Sequence, residues 1–198
     1  MTYDILSALA AFAFVSSITP GPNNLMLMAS GANYGVRRTL PHMLGVALGF
    51  AFMVILVGVG LIQIFDAFPV TYTVLKVASV GYLLYLAWKI ATAAAPEAKE
   101  PTGTPFTFLQ AAAFQWVNPK AWTMALTAIS VYAVPEAGVW GILLVGLVFG
   151  AVNLPSVSVW TWMGQQLRRV LDDPRKLRAF NIAMAVLLVG SLWPILRP

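Results

Sequence analysis

The sequence has no cysteine and one histidine, and few of its side chains carry a charge. Without cysteine there is neither a disulfide nor a thiolate metal site, and His42 alone cannot form a His-rich metal centre. No nucleophile is paired with a base, and no carboxylates cluster as metal ligands would. We therefore predict no catalytic residue, no metal and no cofactor. Charged residues make up 10% of the chain, whereas a soluble domain has roughly 25%.

Apolar residues, in contrast, make up 60% of the 198 residues. A soluble fold of this length cannot bury so much apolar surface, but a lipid bilayer can cover it. The net charge of +5 would indicate nucleic-acid binding only if the basic residues formed a patch. They lie instead at the ends of apolar runs. The composition predicts an all-α integral membrane protein, and the first apolar run has no basic segment before it that would mark a cleaved signal.

Six stretches are long and apolar enough for a membrane span, which needs about 20 residues. They cover roughly residues 4–30, 40–65, 71–93, 106–134, 138–167 and 179–196. The stretch 94–105 contains three prolines and is the only linker-like segment. We therefore predict a three-helix unit at 1–95, a cytoplasmic linker at 96–105 and a second three-helix unit at 106–198.

The lysines and arginines predict the orientation, because cytoplasmic loops are enriched in them. The first, third and fifth loops hold nine: Arg37, Arg38, Lys89, Lys99, Arg168, Arg169, Arg175, Lys176 and Arg178. The opposite side holds Arg197. This asymmetry predicts that these three loops are cytoplasmic and that both termini lie outside.

The two three-helix units have related features. Because each has an odd number of spans, the second must be inverted relative to the first. Each unit opens with a span interrupted by proline beside asparagine, at 20–24 and at 118–120. The second span of each unit carries a GxxxG spacing that permits close helix packing, at Gly45 and Gly49 and at Gly146 and Gly150. We predict two inverted three-helix repeats whose first and fourth helices are broken.

The two interruptions also predict the binding site. A helix break at membrane depth is tolerated where the freed backbone groups are buried in protein or line a cavity. Proline suits the first position of a new helix, whose unpaired N–H groups favour a carboxylate. A lysine in that first turn is unfavourable unless an anion binds there. We predict that the substrate is bound by Pro20, Gly21, Pro22, Asn23, Asn24, Asn118, Pro119, Lys120 and Asn153.

Structural interpretations stay open beside these. Neighbouring side chains can repair a simple kink at the first break, and the long stem of Lys120 can reach the cytoplasmic surface. Asn153 is included because Pro155 frees a carbonyl about one turn before it, although a packing kink explains Pro155 equally well. His42 titrates in a range that suits a proton relay, but an interfacial polar residue is the favoured interpretation. No carboxylate is placed securely inside a span.

Two motifs resemble the signatures of the LysE/RhtB amino-acid exporters. The first comprises TPGPNN at 19–24, GVRR at 35–38 and GVALG at 45–49, and the second is QWVNPKAW at 115–122. The similarity covers essentially the whole chain. Residues 81–89 and 126–130 most resemble the members of this family that export cysteine and O-acetylserine, and the chain also resembles the homoserine/threonine exporters.

The resemblance implies a bacterial inner-membrane carrier that exports amino acids or close derivatives in exchange for protons. We predict that the exported substrate is a small neutral amino acid or derivative. The expected partners are the amino acid and the lipid bilayer, without nucleic acid, and a homo-oligomer stays open. The residues alone also leave open an oligomeric channel or a membrane-assembly subunit.

Overall fold

The computed structural model describes residues 2–61, 67–68, 70–93, 104–168, 170–171 and 173–193. Within these ranges the regular structure is entirely helical, so the prediction of an all-α protein is confirmed. The main helices are α1 (Tyr3–Ile18), α2 (Pro22–Leu56), α3 (Val70–Ala91), α4 (Phe108–Phe114), α5 (Pro119–Tyr132), α6 (Gly138–Arg168) and α7 (Pro174–Gly190). Short helical turns occur at Val57–Leu61, Gln115–Val117 and Pro135–Ala137.

Three of the helical segments are long and apolar enough to cross a membrane by themselves. They cover Pro22–Gly60, Thr73–Ala91 and Gly138–Leu167, and Tyr3–Ile18 is a shorter apolar helix. Large apolar side chains lie on the outside of the bundle, among them Phe52 and Leu147. In water such a surface would be unfavourable, whereas lipid accommodates it.

Helix α2 is a hairpin rather than one straight rod. Gly35 has a φ of 79°, a conformation that favours glycine, and it reverses the chain direction between two arms, 22–34 and 36–56. The hydroxyls of Ser30 and Thr39 form a hydrogen bond of 2.9 Å between the arms. The predicted division between the first and second spans is therefore in the right place. The predicted first loop, which covers the interval 31–39 between these two spans, is wrong in extent, because the chain is helical on both sides of Gly35.

The reversal at Gly35 leads to a prediction about stability. In Gly35→Ala the new residue would keep a positive φ, and its Cβ would lie 3.3 Å from the Gln165 side-chain oxygen. We expect a loss of about 1–3 kcal/mol, the usual cost of such a backbone conformation in a residue with a Cβ. The thermal unfolding midpoint of the purified protein in detergent measures it, with Gly190→Ala as the control, because a Cβ there meets no described atom within 4 Å. An unchanged midpoint for Gly35→Ala would show that the arms are joined differently.

Helix α6 packs along both arms of α2 through glycine. A Cβ on Gly31 would overlap the main chain of Thr161, and one on Gly164 would overlap the main chain of Met28. Further along, a Cβ on Gly146 would meet the Ile55 side chain at 2.6 Å. Helix α6 therefore contacts the first arm near its C-terminal end and the second arm near Ile55. Pro155 is accommodated inside the continuous helix α6.

Helix α4 lies against the second arm of α2. Gly45 and Gly49 of that arm contact the backbone of Phe108 and Ala112, where a Cβ would overlap it. The predicted close approach of helices at this GxxxG spacing is confirmed. Gly45 contacts Phe108, and Gly49, four residues later, contacts Ala112, also four residues later. Helix α4 therefore runs parallel to the second arm.

The final helix begins earlier than predicted. Pro174 occupies its first turn, and the side chain of Asp173 accepts a hydrogen bond of 2.7 Å from the Arg175 N–H. This cap starts α7 five residues before the predicted 179, so three residues predicted to lie in a loop belong to the helix: Arg175, Lys176 and Arg178. Other predictions fall on residues outside the described ranges: most of the linker, Lys99, Arg169, Arg197 and the C-terminal end of the last span.

Candidate functional site

The break between α1 and α2 leaves the last carbonyls of α1 without donors from the helix itself. Side chains from other segments supply these donors. The Asn24 amide donates to the carbonyls of Ser17 and Thr19, both at 2.8 Å. The Trp160 indole N–H of α6 donates to the Ile18 carbonyl at 2.9 Å. The end of α1 is thereby held by α2 and α6. The alternative that neighbouring side chains repair a kink at the first break therefore applies to these carbonyls.

Lys120 holds the same turn from the other broken segment. Its Nζ donates to the Thr19 carbonyl at 2.7 Å, to the Thr19 hydroxyl at 3.0 Å and to the Pro20 carbonyl at 3.2 Å. Its stem lies against Gly21, where a Cβ would be 2.7 Å from Lys120 Cδ. Two carbonyls and one hydroxyl accept from the ammonium group of Lys120, but these neutral groups do not cancel its charge. An anion near Lys120 would do so.

Two helices begin beside Lys120. Helix α2 has Pro22 in its first turn after the extended Gly21, and α5 has Pro119 in its first turn. The Asn118 side chain caps α5 by accepting from the Lys120 N–H at 3.1 Å. The two helix starts, far apart in sequence, therefore adjoin each other, and each provides N–H groups and a partial positive charge.

A pair of amide side chains joins the two broken segments. Asn23 and Gln115 exchange two hydrogen bonds, of 2.8 and 3.2 Å, and Gln115 also donates to the Ala111 carbonyl at 2.9 Å. Gln115 is completely buried. It belongs to the second sequence motif, but it was not predicted as a site residue, because it precedes the break.

These residues surround a small cavity. It is lined by Ser16, Ser17, Gly21, Asn23, Asn24, Phe50, Gln115, Asn118, Lys120, Ala121, Met124, Asn153 and Val157. The space available to the centre of a water-sized sphere is about 20 Å³, room for one or two waters but not for an amino acid. Six of the nine predicted site residues line it, and the prolines 20, 22 and 119 shape the backbone around it.

Two buried polar atoms of this lining, Ser17 Oγ and Asn153 Oδ1, have no hydrogen-bond partner among the described residues. Their residues are 5% and 4% exposed. Ser17 was not predicted, since a serine just before a helix break has no distinctive sequence signal. The lining therefore combines a cation and two helix N-termini, which suit a carboxylate, with oxygen acceptors, which suit an ammonium group. This is the polar complement of a zwitterionic amino acid.

Comparison with known proteins places these features in a family. A family model described as LysE type translocator matches residues 14–191. A cysteine/O-acetylserine efflux protein of Escherichia coli O1:K1 / APEC is 30% identical over 193 residues, which are 96% of each chain. Proteins of the same name from Escherichia coli strain K12 and Shigella sonnei strain Ss046 are 29% identical over the same length. No solved structure matches the chain.

Proposed function

Because the chain belongs to the LysE type translocator family, we propose that it exports a small neutral amino acid or derivative across the bacterial inner membrane. The efflux proteins that it resembles are named for cysteine and O-acetylserine, and we propose that this chain carries molecules of that class. The family and the apolar helices indicate a transporter rather than an enzyme.

The observation that carries this proposal is the cavity between the two broken segments. Lys120 and the starts of α2 and α5 would bind the substrate carboxylate, while Asn153 and Ser17 would accept from its ammonium group. The apolar side of the cavity, with Ala121 and Val157, would limit the substrate side chain. A neutral amino acid carries both of its charges on the backbone, so this site needs no further charged group for the side chain.

The small volume of the cavity fits a carrier in a closed state. An amino acid can enter only if the surrounding helices separate, which is what alternating access requires. We propose that the rearrangement occurs between two inverted three-helix repeats, 1–95 and 106–198. The corresponding features of the two units support this, because both broken segments border the same cavity and each starts a helix there.

We propose further that both termini lie outside and that proton entry drives export. The grouping of basic segments supports the orientation. Lys89 lines the same cavity as Tyr34, which immediately precedes the reversal at Gly35, and Arg38 lies over the Tyr34 ring at 5.6 Å. The segments that carry Arg38 and Lys89 thus meet at one end of the bundle, and the positive-inside rule assigns such an end to the cytoplasm.

Reconstituted protein tests the proposed export. Proteoliposomes are loaded with unlabelled serine or O-acetylserine, and entry of the labelled compound is followed. A carrier should give saturable entry that is stimulated by the internal amino acid. Flux that rises linearly with concentration, without stimulation from the other side, would favour the alternative of an oligomeric channel.

Asn153→Leu should weaken substrate binding, because it removes the acceptor from the cavity and adds an apolar side chain of similar size. We expect the half-saturating concentration to rise roughly tenfold, the effect of losing about 1.4 kcal/mol. Ser158→Ala, on the same helix but outside the cavity lining, is the matched control. Equal half-saturation for Asn153→Leu and the unmodified protein would remove Asn153 from the site.

A further inference from the structure

A second cavity lies at the other end of the first arm of α2. It is lined by Met26, Ala29, Ser30, Asn33, Tyr34, His42, Leu86, Lys89, Ile90, Ala93, Thr104, Pro105 and Phe106. The space available to the centre of a water-sized sphere is about 60 Å³, enough for several waters. The arm 22–34 therefore borders the cavity between the two broken segments with Asn23 and Asn24, and it borders this second cavity with residues from Met26 to Tyr34.

His42 is the unusual group in this second cavity. It is 1% exposed, and neither ring nitrogen has a hydrogen-bond partner within the described part of the chain. Its ring packs on Phe106, with centroids 5.2 Å apart. The favoured sequence interpretation, an interfacial polar residue, does not describe this burial. A buried imidazole with unpartnered nitrogens, beside a cavity that can hold water, is placed to bind and release a proton.

The carboxylates of the described residues are placed differently. Asp4 lies in the first turn of α1, Glu136 in the turn before α6, and Asp173 caps α7. All three are at helix ends, and Asp66, Glu97, Glu100 and Asp172 lie outside the described ranges. Within the part of the chain that is described, His42 is the buried group in a helix interior whose side chain ordinarily titrates near neutral pH.

We propose that His42 carries the proton that is exchanged for the amino acid. This inference rests on the proposed export function and adds to it the residue that couples export to protons. In one state of the carrier the imidazole would bind a proton that arrives from the outside, and in the other state it would release the proton to the cytoplasm, the side on which Lys89 lies in the proposed orientation. Because the first arm of α2 borders both cavities, protonation at one end and substrate binding at the other can bias the same element between two positions.

Two other titratable residues line the cavity of His42: Tyr34 of the first arm and Lys89 of α3. The segment 104–106 contributes no titratable side chain. Lys89 Nζ lies 5.4 Å from the Phe106 ring centre, so Phe106 contacts both His42 and Lys89. Lys89 therefore borders the same cavity as His42, and Arg38 lies over the Tyr34 ring.

The test compares proton-driven efflux with exchange in the same proteoliposomes. At zero membrane potential, exchange of one proton per amino acid converts one pH unit into a roughly tenfold amino-acid gradient. We expect His42→Gln and His42→Asn to lose the stimulation of efflux by an acidic exterior, and to keep exchange of labelled for unlabelled amino acid at equal pH. Asp4→Asn is the control and should retain both.

The outcomes separate the two proposals. If the unmodified protein shows no exchange, the export function fails. If exchange is present but His42→Gln responds to the pH gradient as the unmodified protein does, the role of His42 is overturned. Should both His42 variants lose exchange as well, Lys89→Gln decides, because it leaves the imidazole in place. A shift of its efflux profile to higher pH supports the proposal, and an unshifted profile overturns it.

Discussion

Lys120→Ala is expected to lose at least nine-tenths of amino-acid export while still being inserted in the membrane. Among the described residues that line the cavity between the two broken segments, Lys120 is the one cation, and none is a carboxylate that could neutralise it. A hydrogen bond to a charged group contributes about 1.5–3 kcal/mol, which corresponds to roughly 10- to 150-fold in substrate affinity. The measurement is efflux of serine or O-acetylserine from cells that produce the variant at a matched level.

The design must separate binding from structure, since Lys120 also donates to the carbonyls of Thr19 and Pro20. Lys120→Met keeps most of the stem against Gly21 and removes the charge. Lys120→Arg keeps the charge with a different geometry and should retain part of the activity. Lys76→Ala, on the exposed face of α3, is the control. Normal export by a Lys120→Met protein of unchanged thermal stability would exclude Lys120 from the substrate site.

Gly31→Ala is expected to produce the largest loss of stability. Gly31 is buried, and a Cβ there would overlap the carbonyl of Thr161 in α6. The new Cβ would be fixed to the main chain of α2 and would meet the main chain of α6. No side chain can rotate to make room, so the two helices must separate. Overpacking costs about 1–3 kcal/mol where side chains can adjust. Because a backbone contact cannot adjust in this way, the loss of stability should reach or exceed the upper end of this range. Little folded protein should then be recovered.

The control for Gly31→Ala is the same substitution where space is open. Gly81 lies in α3, and a Cβ at this position would have no described atom within 4 Å. Alanine there should leave the unfolding midpoint unchanged or raise it, because alanine is favoured over glycine in a helix by up to about 1 kcal/mol. Size-exclusion profiles and thermal unfolding in detergent measure both variants. Equal behaviour of Gly31→Ala and Gly81→Ala would contradict the close packing of α2 on α6.

The helical class, both broken segments and six of the thirteen cavity-lining residues could be predicted from the sequence, because proline and glycine act locally. Pro22 and Pro119 favour the start of a helix independently of the tertiary packing, and Gly45 indicates a close helix contact. The partners of these residues could not be predicted. That Lys120 reaches the turn at Thr19, about 100 positions away, depends on tertiary packing.

The residues that were not predicted share a physical reason. Ser17 and Gln115 acquire their positions in the cavity from the distant side chains that surround them, and each lies before a helix break, where the residue type alone does not indicate a role in binding. The burial of His42 has the same origin, because Phe106 and Lys89 border its cavity from other segments. A polar residue at the end of an apolar run can lie at the membrane interface or beside an internal cavity. Which of the two locations it takes depends on how the other helices pack.

We propose that the amino acid binds between the two broken segments, and thiol labelling tests this most directly. Because the chain has no cysteine, a single Ser17→Cys substitution places a unique thiol at the cavity, and Ser7→Cys, exposed on α1, serves as the control. The rate of thiol labelling by a small maleimide is measured with and without serine or O-acetylserine. We predict that the amino acid slows labelling at position 17, with a half-maximal concentration equal to that of exchange, and leaves position 7 unaffected. Labelling of Ser17→Cys at the same rate with saturating amino acid, in protein that still exchanges it, would contradict the account.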